Sequence, residues 1–221
     1  HWHHLPTEEV IELLDANPST GLDMLEVKHR QHRFGLNQIT QKKGRGPIIR
    51  FLLQFNNPLV YILLLASIVT LVFKDATDSA VIFGVVLINA IIGFIQESRA
   101  ENAISALART MTTEATVIRS GKIMRIQASE LVPGDIVQLQ AGMSVPADMR
   151  LLTSKELQVT EAALTGESLP IKKDADSSLP RDTSLADRIN MTYGSTLITY
   201  GTATGVVVAT GDNSEVGQIS R

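Results

Sequence analysis

Hydrophobic positions along this chain change their period twice, and the changes divide it into three stretches. Residues 5–40 have helical spacing. Val10, Ile11, Leu13 and Leu14 form an apolar face that predicts a helix with Thr7 as its cap. Asn17, Pro18, Ser19 and Gly21 interrupt it. Asp23, with Glu26 three residues on, fits a capping box for a second helix ending near Gly35. Leu22, Leu25 and Phe34 are expected on its inner side. A small helical segment, residues 1–46, that only packs is the plain reading.

The second stretch is apolar. Leu59 to Phe73 is almost unbroken, Lys74, Asp75, Thr77 and Asp78 interrupt it, and Ala80 to Ile95 is apolar again except for Asn89. Each run is shorter than the roughly 20 residues that span a bilayer, so either alone also fits a buried core helix. The runs are adjacent and joined by a short polar turn. The first also extends back through Ile48, Ile49, Phe51, Leu52, Leu53 and Phe55 as an amphipathic approach along a membrane surface. The pattern therefore predicts a two-helix transmembrane hairpin, residues 47–73 and 78–97, with the lipid bilayer as partner. Lys42, Lys43, Arg45, Arg50, Arg99 and Arg109 flank its outer ends, and only Lys74 lies in the turn. Basic residues stay on the cytosolic side, which puts both chain ends there. Asn89 fits an interhelical hydrogen bond or an ion path, and packing is the preferred reading. Residues 96–110 contain no helix breaker, so the second helix is expected to run on as a stalk over 98–112.

Beyond residue 114 the spacing alternates, as in strands. Thr116–Arg119 and Lys122–Ile126 flank Ser120-Gly121, a hairpin turn signal. Pro133-Gly134-Asp135 marks another turn. Ile136–Leu139, Met149–Leu152, Leu157–Thr160, Thr196–Tyr200 and Thr202–Thr210 read as short strands, and 172–190 as a polar loop. Residues 113–221 are thus a mostly β domain. The fold class is α+β: a membrane hairpin, a mostly β domain and a small helical lead-in.

Composition adds limits. The chain has 221 residues and a formal net charge of −3, which gives no nucleic-acid signal. It has no cysteine, hence no disulfide, thiolate metal site or cysteine nucleophile. Mean hydropathy is +0.11 although 19% of residues are charged, so the apolar residues are concentrated. His1, His3 and His4 fit a metal site, but a disordered terminus or the remnant of a tag is the expectation. No apolar region near residue 1 points to a cleavable signal peptide.

The segment richest in chemistry is Thr165-Gly166-Glu167-Ser168, directly after a predicted strand. Glycine lets the backbone approach another surface closely, and a carboxylate on such a loop can orient a water and take its proton. By pattern alone an ordinary surface turn with an exposed Glu is the stronger reading. A tethered hydrolase using Glu167 by itself is disfavoured, because no His or Cys lies near it in sequence.

Thr165-Gly166-Glu167-Ser168 resembles the TGES signature of P-type ATPases. Pro133-Gly134-Asp135 is similar to the PGD motif, and Val145-Pro146-Ala147-Asp148 to the VPAD motif, of the same actuator domain. Asn89 to Ile104 resembles the second membrane helix and stalk of calcium-type pumps. Gly35-Leu36-Asn37 resembles their lead-in, and Thr210-Gly211 their exit from the actuator. The motifs stand in family order over nearly the whole chain.

The resemblance implies the N-terminal part of a cation pump whose actuator domain has a distorted jelly-roll-like fold. A separate domain of such pumps carries an aspartate that ATP phosphorylates. Glu167 would position and activate the water that hydrolyses this aspartyl phosphate, with Thr165 assisting, Gly166 allowing close approach and Ser168 supporting the loop. Asp135 and Asp148 either contact the phosphorylation domain or hold turns, and the second is preferred. ATP and Mg2+ serve the complete pump, with neither bound by this portion. The phosphorylation motif Asp-Lys-Thr-Gly-Thr is absent, so these residues alone are not expected to hydrolyse ATP. Implied partners are the remaining pump domains and the transported cation, calcium first. The implied location is a plasma (inner) membrane with the N-terminus and actuator in the cytosol. The alternative is a membrane-anchored module that regulates a full-length pump.

Overall fold

Ser120 and Gly121 both take positive φ, 50° and 73°. Two successive positive φ values match the twist of a two-residue hairpin turn. They join β1 (Glu114–Arg119) to β2 (Lys122–Gln127) in antiparallel register, as the alternation predicts. The structure, a computed structural model, describes residues 1–40, 44–73, 76–110 (backbone only for 105–110) and 113–220. Lys42, Lys43, Lys74, Asp75 and the side chain of Arg109 lie outside the described residues. The chain forms two units, residues 1–41 with 112–221, and residues 42–111.

In the first unit, β3 (Ile136–Gln140), β4 (Asp148–Thr160), β5 (Ile171–Lys172), β6 (Met191–Thr192) and β7 (Leu197–Ala209) complete one antiparallel sheet. Its order is β2-β1-β3-β7-β4-β5, with β6 also on β4. β4 and β7 are each one strand of 13 residues, where the alternation predicts two short strands apiece. The reason is local. The β4–β7 register shifts between Leu151 and Thr153 and between Lys155 and Gln158. Such bulges interrupt the inside–outside pattern while the ladder continues. Glu156 and Gly201 take φ 50° and 82° at one of these sites. A Cβ at Gly201 would lie 2.3 Å and 2.4 Å from the carbonyl oxygens of Glu156 and Lys155, so only glycine fits this crossing.

Alternate residues face opposite sides of a strand, and the sheet buries both sides. Val137 and Val207 join Leu131, Met149, Leu151, Leu157, Val159 and Ile198 in the main core. Their neighbours Ile136 and Val206 face a second cluster with Tyr193, Val10 and Leu14. Helix α1 (Thr7–Leu13) therefore covers the second face, and α2 (Met24–Phe34) follows it.

Several expectations for this lead-in are corrected. Pro6, not Thr7, precedes α1, and no side chain caps it. Leu13 and Leu25 are exposed, and Phe34 is largely so. The buried positions of α2 are Val27 and Arg30, with Leu22 before it. Arg30 turns inward because its guanidinium donates to the Leu14 carbonyl at 2.7 Å, where α1 ends, and to the Pro133 carbonyl at 2.9 Å. It thus serves the free carbonyls of one helix end and ties it to a sheet turn. Asp23 does cap α2, accepting from the Glu26 N–H at 2.8 Å. The Glu26 carboxylate turns to Arg30 instead of closing the box.

The histidine-rich start is neither disordered nor a loose tag. Trp2 and Leu5 pack on the second cluster. His3 is buried, with Nε2 3.0 Å from the Arg181 carbonyl, and Asn190 Nδ2 donates to the His3 carbonyl at 2.8 Å. Among the described residues no three His, Asp or Glu side chains gather as metal ligands.

In the second unit, α3 (Pro47–Leu53) and α4 (Pro58–Val72) meet at a 75° bend. Helix α5 (Ala76–Thr110) runs unbroken for 35 residues. At 1.5 Å per residue that is about 50 Å. It is the one described helix long and apolar enough by itself to cross a membrane, and α3 with α4 meets that criterion only as a bent pair. A two-helix hairpin is therefore not established by length and composition alone. α4 packs on α5 through Ser67 and Ser79, whose hydroxyls lie 3.0 Å apart and bond across to each other's carbonyls. The bridging expected of Asn89 falls to these serines, for Asn89 is exposed and makes no hydrogen bond among the described residues.

Asp135 is wholly buried and accepts from Arg119 Nε at 2.9 Å, Arg119 Nη2 at 2.7 Å and the Val132 N–H at 2.9 Å. Removing one member of such a pair strands the other charge in the core. Asp135→Ala is expected to cost about 3–5 kcal/mol, read from the denaturant midpoint. Asp135→Leu with Arg119→Met is expected to recover most of that loss.

Candidate functional site

Strand β4 ends at Thr160, and the chain turns through α6 (Ala162–Thr165) before returning as β5. The Glu161 carbonyl accepts from the N–H groups of Leu164 and Thr165, both at 2.9 Å. It also accepts from Thr165 Oγ1 at 3.1 Å. The Thr165 hydroxyl in turn accepts from the Glu167 N–H at 3.4 Å. Gly166 ends α6 in the left-handed region, φ 79° and ψ −4°, a position that favours glycine. Among the described residues, its chain neighbours and the adjoining helix backbone aside, no atom lies within 4 Å of where its Cβ would be.

The four candidate residues Thr165, Gly166, Glu167 and Ser168 are therefore contiguous on one turn. Thr165 is half-buried and bonded into the loop, while Gly166, Glu167 and Ser168 are exposed. Leu169 beside them is 78% exposed, an apolar side chain at the tip of a polar turn. The turn presents a carboxylate outward on a backbone held from behind. No imidazole or thiol joins it among the described residues.

One feature of the neck is not legible in the sequence. Glu161 and Lys173 form an ion pair with both side chains wholly buried. Burial pushes the Lys173 ammonium down, and the Glu161 carboxylate opposes that shift. At the ends of strands such residues read as solvated charges, and only their spacing across the loop hinted at a pair.

Asp135 and Asp148 are both withdrawn from the surface. Asp148 Oδ1 accepts from the Gly194 N–H at 2.9 Å and Oδ2 from the Glu215 N–H at 2.8 Å. It thus fastens the start of α7 (Glu215–Ile219) to the sheet. Turn-holding, the preferred sequence reading, accounts for these bonds.

The lead-in meets the exit of the same unit. Asn37 Nδ2 donates to the carbonyls of Ala128 and Pro146 at 2.9 Å and 2.8 Å. Its Oδ1 accepts from the Gly211 N–H at 2.8 Å. Thr40 binds both carboxylate oxygens of Asp212, at 2.7 Å and 2.5 Å. The motifs around Asn37, Pro146 and Gly211 are distant in sequence and joined by one amide.

Burial pushes the Asp148 carboxyl up from 3.8 to about 6; the Gly194 and Glu215 N–H groups oppose this, and the Glu215 carboxylate adds to it. The folded state then holds the proton more tightly than the unfolded chain. The charge costs stability above pH 6, and the cost is relieved as pH falls towards 4. The expected gain from pH 7 to 4 is about 2 kcal/mol from this group. Unfolding followed through Trp2, the sole tryptophan, should show it, and Asp148→Asn should lack it.

A family model described as the P-type ATPase actuator domain matches residues 109–221. A second, for the cation transporter/ATPase N-terminus, matches residues 2–70. The cation-transporting ATPase pma1 of Synechocystis is 49% identical over 99% of this chain and 24% of its own length. The probable cation-transporting ATPase F of Mycobacterium tuberculosis is 48% identical over 99% of this chain and 24% of its own. The calcium-transporting ATPase 1 of Bacillus cereus is 39% identical over 99% and 25%. The chain spans about a quarter of the length of these relatives.

Proposed function

The chain belongs to the P-type ATPases, and from that premise we propose that it is the N-terminal part of an ATP-driven cation pump that brings Glu167 to an aspartyl phosphate in another domain. The observation that carries this is the turn itself: an exposed carboxylate beside an uncrowded left-handed glycine, held from behind by the Thr165 hydroxyl. In the proposed step a water oxygen bonds to phosphorus and the bond from phosphorus to the aspartyl oxygen breaks. The aspartate leaves as a carboxylate, inorganic phosphate is released, and Glu167 takes the proton of the attacking water. A negatively charged acyl phosphate repels a second carboxylate. Delivery by a moving domain confines hydrolysis to the moment of closure. Thr165 keeps the Glu167 backbone in place, Gly166 permits close approach and Ser168 supports the loop.

Mg2+ and ATP, which P-type ATPases use, are assigned to the complete pump. Calcium is the cation we assign, because relatives named for calcium transport align over 97–99% of this chain. We further propose that α3 with α4, and α5, cross the membrane as a hairpin with the first unit in the cytosol. The apolar surfaces of α4 and α5 and the extra length of α5 beyond a bilayer of roughly 30 Å support this. α5 would then be the rod that joins actuator rotation to the membrane.

In the complete pump, Glu167→Gln should still form phosphoenzyme from ATP and should hydrolyse it on the order of a hundred-fold more slowly. Unchanged decay would remove the role given to Glu167. For topology, single cysteines at Thr77 and Ser120 should react with impermeant reagent from opposite sides of the membrane. Labelling from one side would remove the hairpin.

A further inference from the structure

The exposed part of the Glu167 turn holds itself only weakly. Its described tethers are the 3.1 Å bond from the Gly166 N–H to the Ala162 carbonyl and the 3.4 Å bond from the Glu167 N–H to Thr165 Oγ1. The neck behind it has a short ladder, with Gln158 opposite Lys172 and Val159 opposite Ile171, and a 2.9 Å bond from the Lys173 N–H to the Leu157 carbonyl. A two-residue strand and a four-residue helix supply little stiffness by themselves.

Across this neck the buried Glu161 carboxylate binds Lys173 Nζ. Lys173 Nζ also lies 3.5 Å from the Arg188 carbonyl and 5.8 Å from the ring centre of Tyr193. The other carboxylate oxygen, Glu161 Oε2, is buried without a hydrogen-bond partner among the described residues. A pair of this kind is a poor way to gain stability, because two charges leave water and one lone-pair set stays unmatched. An apolar pair of the same volume would fill the space as well. What an ion pair adds is direction. It fixes Glu161, whose carbonyl carries the bonds from Leu164, Thr165 N–H and Thr165 Oγ1, and Thr165 Oγ1 holds the Glu167 N–H. A continuous relay of polar contacts thus runs from Lys173 to the backbone of Glu167.

We propose that Glu161 and Lys173 are positioning residues for the dephosphorylation step, their buried ion pair locking the neck so that Glu167 meets the phosphate in one geometry. This rests on the role of Glu167 proposed above. Neither side chain touches the reacting atoms. Both act through Thr165. A loose neck displaces the carboxylate by a fraction of the reach needed, and misplacement on the order of 1 Å costs up to about a hundred-fold in rate.

The test is made in the complete pump. Glu161→Leu with Lys173→Met replaces the pair with apolar side chains of similar size, which buried cores accept. Phosphoenzyme should form from ATP at the wild-type rate and decay on the order of ten- to a hundred-fold more slowly. The exchanged pair, Glu161→Lys with Lys173→Glu, should bring decay back to within about three-fold of wild type. A purely structural role would lower heat resistance and slow formation and decay together, and that result would overturn the proposal. Wild-type decay in the folded double variant, with slow decay in Glu167→Gln, would overturn it too and leave the Glu167 reading standing. Wild-type decay in Glu167→Gln would remove both. Should the apolar pair not accumulate, Glu161→Asp, shorter by one methylene, is read in the same way: slowed decay supports the lock and wild-type decay overturns it.

Discussion

The long antiparallel pairing of β4 with β7 is the constraint on which the rest of the first unit depends. Each strand has 13 residues, and each end of the ladder leads to something the proposed function uses. The last residues of β4 open into the neck of the Glu167 turn. Its first residue, Asp148, holds the start of α7. The end of β7 runs into Gly211, where Asn37 fastens the lead-in. A sheet is stiff along its strands because each residue is fixed by cross-strand bonds and by packing on both faces. The pairing thus links the Gly211 end of the unit to the turn at the other end.

Charges buried in this unit share a logic. Arg119 with Asp135, Lys173 with Glu161, and Arg30 with three backbone carbonyls each sit where separate segments meet. Arg150 is a fourth case, with Nη1 directed at the carbonyls of Leu151, Ala175 and Asn190. Burial lowers its pKa, and nearby Asp176 opposes the shift. Apolar packing holds segments together without fixing their register. A guanidinium with fixed donor directions sets both. For a domain whose proposed task is to deliver one carboxylate, that precision matters more than the modest stability such pairs add.

The second unit follows different physics. The faces of α4 and of the first five turns of α5 away from their contact are mostly apolar, with Asn89 an exposed exception, and Ser67 and Ser79 satisfy one another between the helices. Small hydroxyl side chains at a helix contact allow close approach and leave no polar group facing hydrocarbon, as a lipid environment demands. The 75° bend between α3 and α4 falls at Asn57-Pro58, where proline starts the new helix and Asn57 Oδ1 caps it by accepting from the Leu59 N–H.

Local chemistry was legible in the sequence wherever one residue type had only one conformation to choose. Ser120-Gly121, the Pro133-Gly134-Asp135 turn, the Asp23 cap and the Thr165–Ser168 turn are such cases, and each stands where the pattern put it. What the tertiary structure decided were features set by residues distant in the chain. Alternation broke β4 and β7 into shorter pieces, because a bulge looks like a strand end until its partner strand is known. Hydrophobicity placed Leu25 and Phe34 inside α2, yet Arg30 is buried there because the end of α1 and Pro133 offer it carbonyls. His3 and Trp2 looked like a loose terminus until the Asn190 loop and the second cluster enclosed them. The Glu161–Lys173 pair was hidden for the same reason. Sequence spacing records which residues are near in the chain, whereas burial of a charge depends on partners that only folding brings within reach.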